Sequence, residues 1–186
     1  MGQRPETYQI SKPEQVAALT SARRHDIADR LAAAWPMSIK QLAEQIAAKP
    51  SALYHHIEKL LEVGLVVEAG TRVVNRKREQ LYATPAPRMR LIGALASGEH
   101  GEAMNEIVAS LSRQMARDFR AGANSPVKVV EGEDKNYGFF RLVGRPTPAQ
   151  LARLNACLSE IAEILWKADD PDAPLIGLAW VMTPLE

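Results

Sequence analysis

The chain has 186 residues, of which 46% are hydrophobic and 24% charged, with 23 Lys and Arg, 22 Asp and Glu, and one cysteine. This size suits one ordinary domain or two small ones with a real core. Charges interrupt every apolar stretch before the roughly 18 residues of a membrane helix, and the N-terminus carries no apolar secretory segment. The lone Cys157 excludes an internal disulfide framework and a multi-cysteine metal site. We therefore expect a soluble, cytoplasmic protein that needs no cofactor.

The near-neutral total charge hides an uneven distribution. Residues 1–88 carry 13 Lys and Arg against 9 Asp and Glu, a net charge of +4, whereas residues 89–186 carry 10 against 13, a net charge of −3. A polyanion would bind the basic half. The two prolines in residues 84–87 stop regular structure, so we predict one domain over residues 1–84 and another over residues 89–186.

Side-chain chemistry marks three helix starts, each with a hydroxyl three residues before Glu or Gln, which is the spacing of a capping box. These pairs are Ser11 with Glu14, Ser38 with Gln41, and Thr147 with Gln150, the last supported by Pro148 at the first helical position. The first helical region extends to about Trp35, with a break near residues 20–21. Pro36 ends it.

Residues 38–64 predict a helix-turn-helix. A short helix runs from Ser38 to about Ala47, and a tight connection leads to a second helix over residues 50–63, which Gly64 ends as a C-cap glycine. The second helix has an apolar stripe at the helical spacing, formed by Leu53, Ile57, Leu60 and Leu61.

The next segment predicts a β-hairpin. Residues 65–74 are strand-like with a bulge at Gly70, Asn75 and Arg76 form the turn, and residues 77–83 return as a second strand. A helix-turn-helix followed by a hairpin is the outline of a winged helix.

The second half predicts helices over residues 89–121, with a soft spot at residues 98–101, and over residues 147–167. Residues 122–136 are expected to form a loop, and strands are expected at residues 137–143 and 175–182. The predicted fold class is thus mostly α with small β: an N-terminal winged helix-turn-helix followed by a C-terminal α+β dimerisation region.

The segment LAEQIAAKPSALYHHIEKL (residues 42–60), with LEVGLV after it and LYA at residues 81–83, resembles the ArsR-like winged-helix transcriptional regulators over residues 11–84. Two positions depart from the family pattern, since Ala47 stands where glycine is usual and Lys49 where a hydroxyl cap is usual. The resemblance implies a dimeric DNA-binding regulator, most simply a repressor, in which the helix 50–63 reads the major groove and a basic β-wing contacts the backbone.

The expected DNA contacts lie on the helix 50–63, on the wing, and at the start of the preceding helix, where Lys40 and Gln41 suit a phosphate. Ser51 and His55 suit base edges, Ala52 a thymine methyl, and Tyr54 a phosphate. The wing cations suit phosphates or the minor groove, although an ordinary solvated hairpin would carry the same charges. The complete predicted set is Lys40, Gln41, Ser51, Ala52, Tyr54, His55, Lys59, Arg72, Arg76, Lys77 and Arg78. His56 is assigned to packing beneath the helix.

Metal sensing is disfavoured. The metal-sensing branch of the resembled family places paired cysteines on the recognition helix, or acids and histidines on the last helix. This recognition helix has no cysteine, and His55 and His56 point about 100° apart, so they cannot hold one ion together. Cys157 is expected to be a buried structural thiol. No metal site is predicted.

Two apolar stripes in the second half predict homodimer seams, with packing within one chain as the alternative. Their members are Met104, Ile107, Val108, Leu111 and Met115 in the first helix, and Leu151, Leu154, Leu158, Ile161 and Leu165 in the second. The aromatic and Met side chains of this half could also enclose a small apolar effector. That set comprises Met104, Met115, Phe119, Tyr137, Phe139, Phe140, Trp166 and Trp180.

Two other functions compete with DNA regulation. An enzyme is disfavoured because the sequence has no GxxxxGK[ST], GxSxG, HExxH or GxGxxG motif. A winged helix used as a protein–protein interaction module is the stronger rival, since a fold does not determine its function. Such a module has no need of four clustered cations in the wing.

Overall fold

The computed structural model describes residues 5–91, 101–170 and 172–185. The chain is mostly helical with small sheets and has a helix-turn-helix at its N-terminus, as the sequence predicts. In chain order the elements are β1 (Thr7–Gln9), α1 (Pro13–Leu19), α2 (Ala22–Ala33), β2 (Met37–Ser38), α3 (Ile39–Ile46), a 3₁₀ turn (Pro50–Ala52), α4 (Tyr54–Glu62), β3 (Val67–Val74), β4 (Lys77–Ala83), β5 (Arg88–Arg90), α5 (Gly101–Gly122) and α6 (Pro148–Trp166).

Two of the three predicted capping boxes are confirmed. Ser38 Oγ accepts from the Gln41 backbone N–H at 3.4 Å while Gln41 Oε1 accepts from the Ser38 N–H at 3.1 Å, and Thr147 and Gln150 form the same pair at α6. The predicted box at Ser11 is wrong. Helix α1 begins at Pro13, so Lys12 is its N-cap and no side chain caps it. The predicted break before α2 is confirmed, since α1 ends at Leu19 and α2 begins at Ala22.

The core of the N-terminal unit lies between α1, α2, α3 and α4. Leu53 and Ile57, each 1% exposed, belong to this core together with the small, buried Ala43 of α3. Each such side chain contributes about 1.5–3 kcal/mol when removed from water. Gln15 is a buried polar residue of this unit: its Nε2 donates to the Tyr8 hydroxyl at 2.8 Å and to the Val63 carbonyl at 3.0 Å. These bonds join β1 and α1 to the end of α4.

The hairpin that forms the wing, β3 and β4, belongs to a three-stranded sheet in the order β2-β4-β3. Asn75 and Arg76 have φ values of 50° and 63°, so the predicted two-residue turn is confirmed and pairs Val74 with Lys77. The ladder shifts register beside Gly70, whose φ is +94°, which confirms the predicted bulge. Because β4 lies in the centre, it connects the wing to the short strand that leads into α3.

A second sheet was not predicted. Strand β5 pairs in parallel with β1, and the Ile10 N–H donates to the Arg90 carbonyl at 2.8 Å. The prediction that a helix begins at Met89 is therefore wrong, because residues 88–90 pair with a strand about 80 residues earlier in the sequence. Most of the predicted soft spot, residues 98–100, lies outside the described residues, and α5 begins at Gly101.

The chain forms two compact units, Met1–Leu111 and Ser112–Glu186. The division falls within α5 and not at the prolines of residues 85–87. The reason is that the first turns of α5 bring Met104 and Ile107 into the N-terminal core, where both are buried. None of the helices among the described residues is long and apolar enough to span a bilayer.

In the C-terminal unit, Tyr137 anchors a loop onto the end of α5. Its ring stacks on Phe119 with centroids 4.4 Å apart, and its hydroxyl donates to the Phe119 carbonyl at 3.1 Å. The predicted helix at residues 147–167 is confirmed as α6. The strands predicted at residues 137–143 and 175–182 are wrong, because neither segment pairs with another among the described residues. Cys157 is exposed, so the expectation of a buried thiol is also wrong.

Candidate nucleic-acid interface

The helix-turn-helix presents a polar face opposite its buried stripe. Leu53, Ile57 and Leu60 point inward, while the residues predicted to contact DNA around them point to solvent. The exposed set is Ser51, Ala52, Tyr54, His55 and Lys59. Ser51 and Ala52 belong to the 3₁₀ turn that precedes α4, so they lie at the N-terminal end of the recognition helix. This is the end that reaches base edges in helix-turn-helix complexes.

His55 and His56 lie in different environments despite being neighbours. His55 is exposed, whereas His56 is half-buried and its Nδ1 has no partner within the described chain. Burial lowers the pKa of His56 below 6.5, and the charges of Arg24, His55 and Arg23 lower it further. His56 is consequently neutral near pH 7. Their ring centroids are 6.0 Å apart and the rings are tilted by 55°.

Lys40 and Gln41, the two predicted DNA contacts at the start of α3, differ in whether their side chains are bound within the protein. Lys40 is exposed. The side-chain oxygen of Gln41 is held by the capping box, where it accepts from the Ser38 N–H. Lys59, on α4, forms an ion pair of 2.7 Å with Glu62 across one helical turn. Of these three predicted contact residues, Lys40 is exposed, Gln41 is held by the capping box and Lys59 is paired with Glu62.

The four wing cations divide into an exposed group and one bound residue. Arg76, Lys77 and Arg78 are exposed around the hairpin turn, and Arg78 Nε donates to Thr71 Oγ1 at 3.0 Å. Arg72 is half-buried: its Nε and Nη2 donate to Glu79 Oε2 at 3.0 and 2.8 Å, and its Nη2 also donates to Ser38 Oγ at 3.2 Å. The structure therefore groups three of the four predicted cations at the hairpin tip and turns Arg72 toward the protein.

Sequence reasoning missed Ser38 and Glu79 as partners of Arg72. The contact with Glu79 could have been predicted from the sequence, because a two-residue turn at positions 75 and 76 sets the strand register and places Arg72 opposite Glu79. The contact with Ser38 could not have been predicted from the sequence. It depends on β2, a two-residue strand that pairs Ser38 with Leu81 and has no recognisable pattern of its own.

The side chains predicted to form dimer seams also divide into two groups. Met104 and Ile107 are buried by their own chain, so they build the N-terminal core and are not available to a partner. Val108 and Met115 are exposed, and Leu111 is half-buried. On α6, Leu158 is half-buried and the other members are exposed, namely Leu151, Leu154, Ile161 and Leu165.

The aromatic set proposed as an effector pocket encloses no described cavity. Phe139 and Phe140 are 84% and 83% exposed, and Phe139 contacts Phe119 edge-on with centroids 5.6 Å apart. A small cleft of about 50 Å³ does occur in the N-terminal unit, where Ile10, Leu19 and His25 contribute to its lining. That volume is well below the roughly 300 Å³ at which ligand pockets for drug-sized molecules begin.

Comparison with known proteins supports the helix-turn-helix assignment. A family described as "Helix-turn-helix domain" matches residues 19–69, which span α2, α3, α4 and the start of β3. No curated protein sequence matches the chain. Among solved structures, a double mutant of Lactococcus lactis ZitR in its apo form matches with a TM-score of 0.29 and 13% identity, covering 81% of this chain and 86% of that one. The chain thus contains a helix-turn-helix domain, and this domain supports a DNA-binding regulator as its broad class.

Proposed function

We propose that the protein is an ArsR-like transcriptional regulator, acting as a dimeric repressor, that reads an operator with the helix 50–63 and holds the DNA backbone with its β-wing. The observation that carries the proposal is that one compact unit exposes both the hydrogen-bonding Ser51 and His55 at the start of α4 and a cationic hairpin tip formed by Arg76, Lys77 and Arg78. Hydrogen-bonding side chains read base edges, while cations supply affinity by releasing counterions from phosphates.

The assignment of roles follows from side-chain chemistry. Ser51 and His55 offer donors and acceptors to base edges in the major groove, and the methyl of Ala52 suits a thymine methyl. Tyr54 is 54% exposed and its hydroxyl suits a phosphate. Lys40, Gln41 and Lys59 flank this surface, so we assign them to the backbone. His56 is excluded from contact because it is half-buried.

The second element of the proposal is a homodimer formed through the C-terminal unit. Every described residue of α6 is at least partly exposed, and an amphipathic helix needs a surface to cover its apolar face. A fully exposed aromatic side chain presents about 150–250 Å². Phe139 (84%), Phe140 (83%) and Trp180 (55%) together therefore expose about 450 Å² per protomer. Two copies would contribute about 900 Å² toward the roughly 1,200–2,000 Å² of a stable interface.

A second copy also matches the needs of DNA recognition. One winged helix contacts only a few base pairs, whereas two copies related by a two-fold axis place recognition helices about 34–36 Å apart and read a pseudo-palindrome. The C-terminal unit carries 9 Lys and Arg against 10 Asp and Glu, a net charge of −1, so it offers a polyanion no net attraction and suits assembly better.

A mobility-shift titration with DNA from upstream of the protein's own gene, at two salt concentrations, tests DNA binding. The His55→Ala variant is expected to lose about 1–3 kcal/mol of operator binding while its affinity for unrelated DNA stays unchanged. The Lys77→Ala variant is expected to weaken both and to lower the salt slope by about 0.9. No shift at low salt would refute DNA binding and favour the protein–protein interaction module. Repression is tested by transcription from that promoter, which should fall when the protein is added.

Light scattering after size exclusion tests the dimer. The wild type is expected at twice the chain mass of 20.5 kDa. Leu154→Glu should shift it to the monomer, since it places a charge on the exposed apolar stripe of α6. Asn155→Glu, the matched control, introduces the same charge at an adjacent polar position and should remain dimeric. A wild-type protein that runs as a monomer at micromolar concentration would contradict the dimer.

A further inference from the structure

Arg72 differs from the other wing cations in what its guanidinium contacts. Its side chain is 35% exposed and that of its partner Glu79 is 22% exposed. Two nitrogens of the guanidinium donate to the same carboxylate oxygen, Nε at 3.0 Å and Nη2 at 2.8 Å, and Nη2 also reaches Ser38 Oγ at 3.2 Å. The positive end of this side chain is therefore already bound within the protein.

The residues that Arg72 joins belong to three different elements. Arg72 lies on β3 and Glu79 lies opposite it on β4. Ser38 ends β2 and is the N-cap of α3, where its buried side chain closes the capping box with Gln41. We call Arg72, Glu79 and Ser38 the wing clamp. It connects the hairpin directly to the first helix of the helix-turn-helix, so it holds two DNA-facing elements in one arrangement.

The chemistry of the wing clamp favours this positioning role. A guanidinium is a planar fork that can bind two acceptors at fixed angles, which an ammonium cannot do. The hydrogen bond from Arg72 lowers the pKa of Glu79 against the opposing effect of desolvation, and a hydrogen bond from Ser38 and the charges of Arg72 and Lys40 lower it further. Glu79 is therefore ionised at neutral pH, and its negative charge offsets that of Arg72.

From this geometry we infer that Arg72 is a positioning residue, which orients the wing on the helix-turn-helix for DNA binding and does not itself contact a phosphate. This inference rests on the proposed function. It divides the predicted wing cluster by role: Arg76, Lys77 and Arg78 supply charge to the DNA, whereas Arg72 sets where that charge lies.

The salt dependence of operator binding separates the two roles. The Arg72→Lys variant keeps the positive charge but loses the planar guanidinium that binds two acceptors. We therefore expect an operator affinity about tenfold lower, with an unchanged salt slope. The matched variant Lys77→Ala, at an exposed cation, should lower the slope by about 0.9. Wild-type affinity in Arg72→Lys would overturn the inference, and so would a slope in Arg72→Ala that falls as far as in Lys77→Ala.

The Glu79→Gln variant is a second test, because the two possible roles of Glu79 predict opposite changes in DNA affinity. If Glu79 only repelled the DNA, removing its negative charge would strengthen binding. We expect binding weakened by about threefold to tenfold, because the wing clamp loses its charge-assisted bonds. Tighter binding by Glu79→Gln would overturn the inference.

Amide hydrogen exchange without DNA keeps this inference distinct from the proposed function. We expect faster exchange at residues 71–80 in Arg72→Lys than in the wild type or in Lys77→Ala, with unchanged exchange in α2. If wild-type protein bound no DNA, the proposed function would fail, and unchanged exchange in Arg72→Lys would overturn the wing clamp as well. If the wild type binds the operator and neither Arg72→Lys nor Glu79→Gln changes its affinity, the inference fails while the proposed function stands.

Discussion

Truncation of Leu53 is the sharpest test of how the helix-turn-helix is held together. Leu53 is 1% exposed, follows the 3₁₀ turn and precedes α4, and belongs to a core that also contains the buried Ala43 of α3. Leu53→Ala removes three carbon atoms, which costs about 2.4 kcal/mol at about 0.8 kcal/mol for each buried methylene. A partly collapsed cavity of about 40 Å³ adds roughly 1 kcal/mol at about 24 cal/mol per Å³. We expect a total loss of about 3–4 kcal/mol.

Urea denaturation followed by Trp35 fluorescence measures this loss. The sequence has 3 tryptophans, so a Trp166→Phe, Trp180→Phe background leaves Trp35 as a reporter of the N-terminal unit alone. The midpoint of thermal unfolding should fall by about 12–20 °C, at roughly 4–5 °C for each kcal/mol in a unit of this size. Val73→Ala is the control: Val73 is 74% exposed, so its truncation should change stability by less than about 0.5 kcal/mol. A loss below about 1 kcal/mol in Leu53→Ala would refute the packing argument.

Three further predictions concern backbone conformation and protonation, all measured by the same urea titration. Ala47 caps α3 with a left-handed φ of 52°, so Ala47→Gly should raise stability by about 0.5–1 kcal/mol, and a loss would contradict this. Gly64 has a φ of +72°, and a Cβ added there would meet nothing within 4 Å, so Gly64→Ala should cost about 1 kcal/mol through backbone strain alone. The pKa of His56 is lowered from 6.5, so the unfolded state binds more protons below that pH, and stability should fall as the pH drops from 6.5 toward the folded-state pKa. His56→Gln should abolish this slope, and an unchanged slope would assign it to another group.

Local chemistry made much of the N-terminal unit predictable. The capping box at Ser38, the left-handed Gly64 just after α4 and the turn at Asn75 each depend on residues within a few positions of one another. The exposed face of α4 followed from helical periodicity once its buried stripe was identified. Such features are decided by short-range bonds and sterics, so they can be inferred from a few neighbouring residues.

The partners of particular side chains were not predictable in this way. Ser11 is of a residue type that commonly caps helices, but α1 begins at Pro13, so Lys12 occupies the cap position. Residues 137–143 have the composition of a strand, but a strand also needs a partner whose backbone groups face it, and none of the described residues pairs with them. The composition of a segment shows which secondary structure it is able to form. Whether that structure forms depends on the packing and hydrogen-bond partners that the rest of the chain supplies.

The sequence by itself determined the helix-turn-helix, its hairpin and the charge of the wing, because periodicity, caps and turn residues act over short distances. Only the tertiary structure decided that β1 pairs with β5, that Met104 and Ile107 enter the N-terminal core, and that Arg72 turns toward Glu79 and Ser38. These arrangements join residues up to about 100 positions apart. They are set by which surfaces exclude water together and which charges find a partner, and local sequence does not encode either.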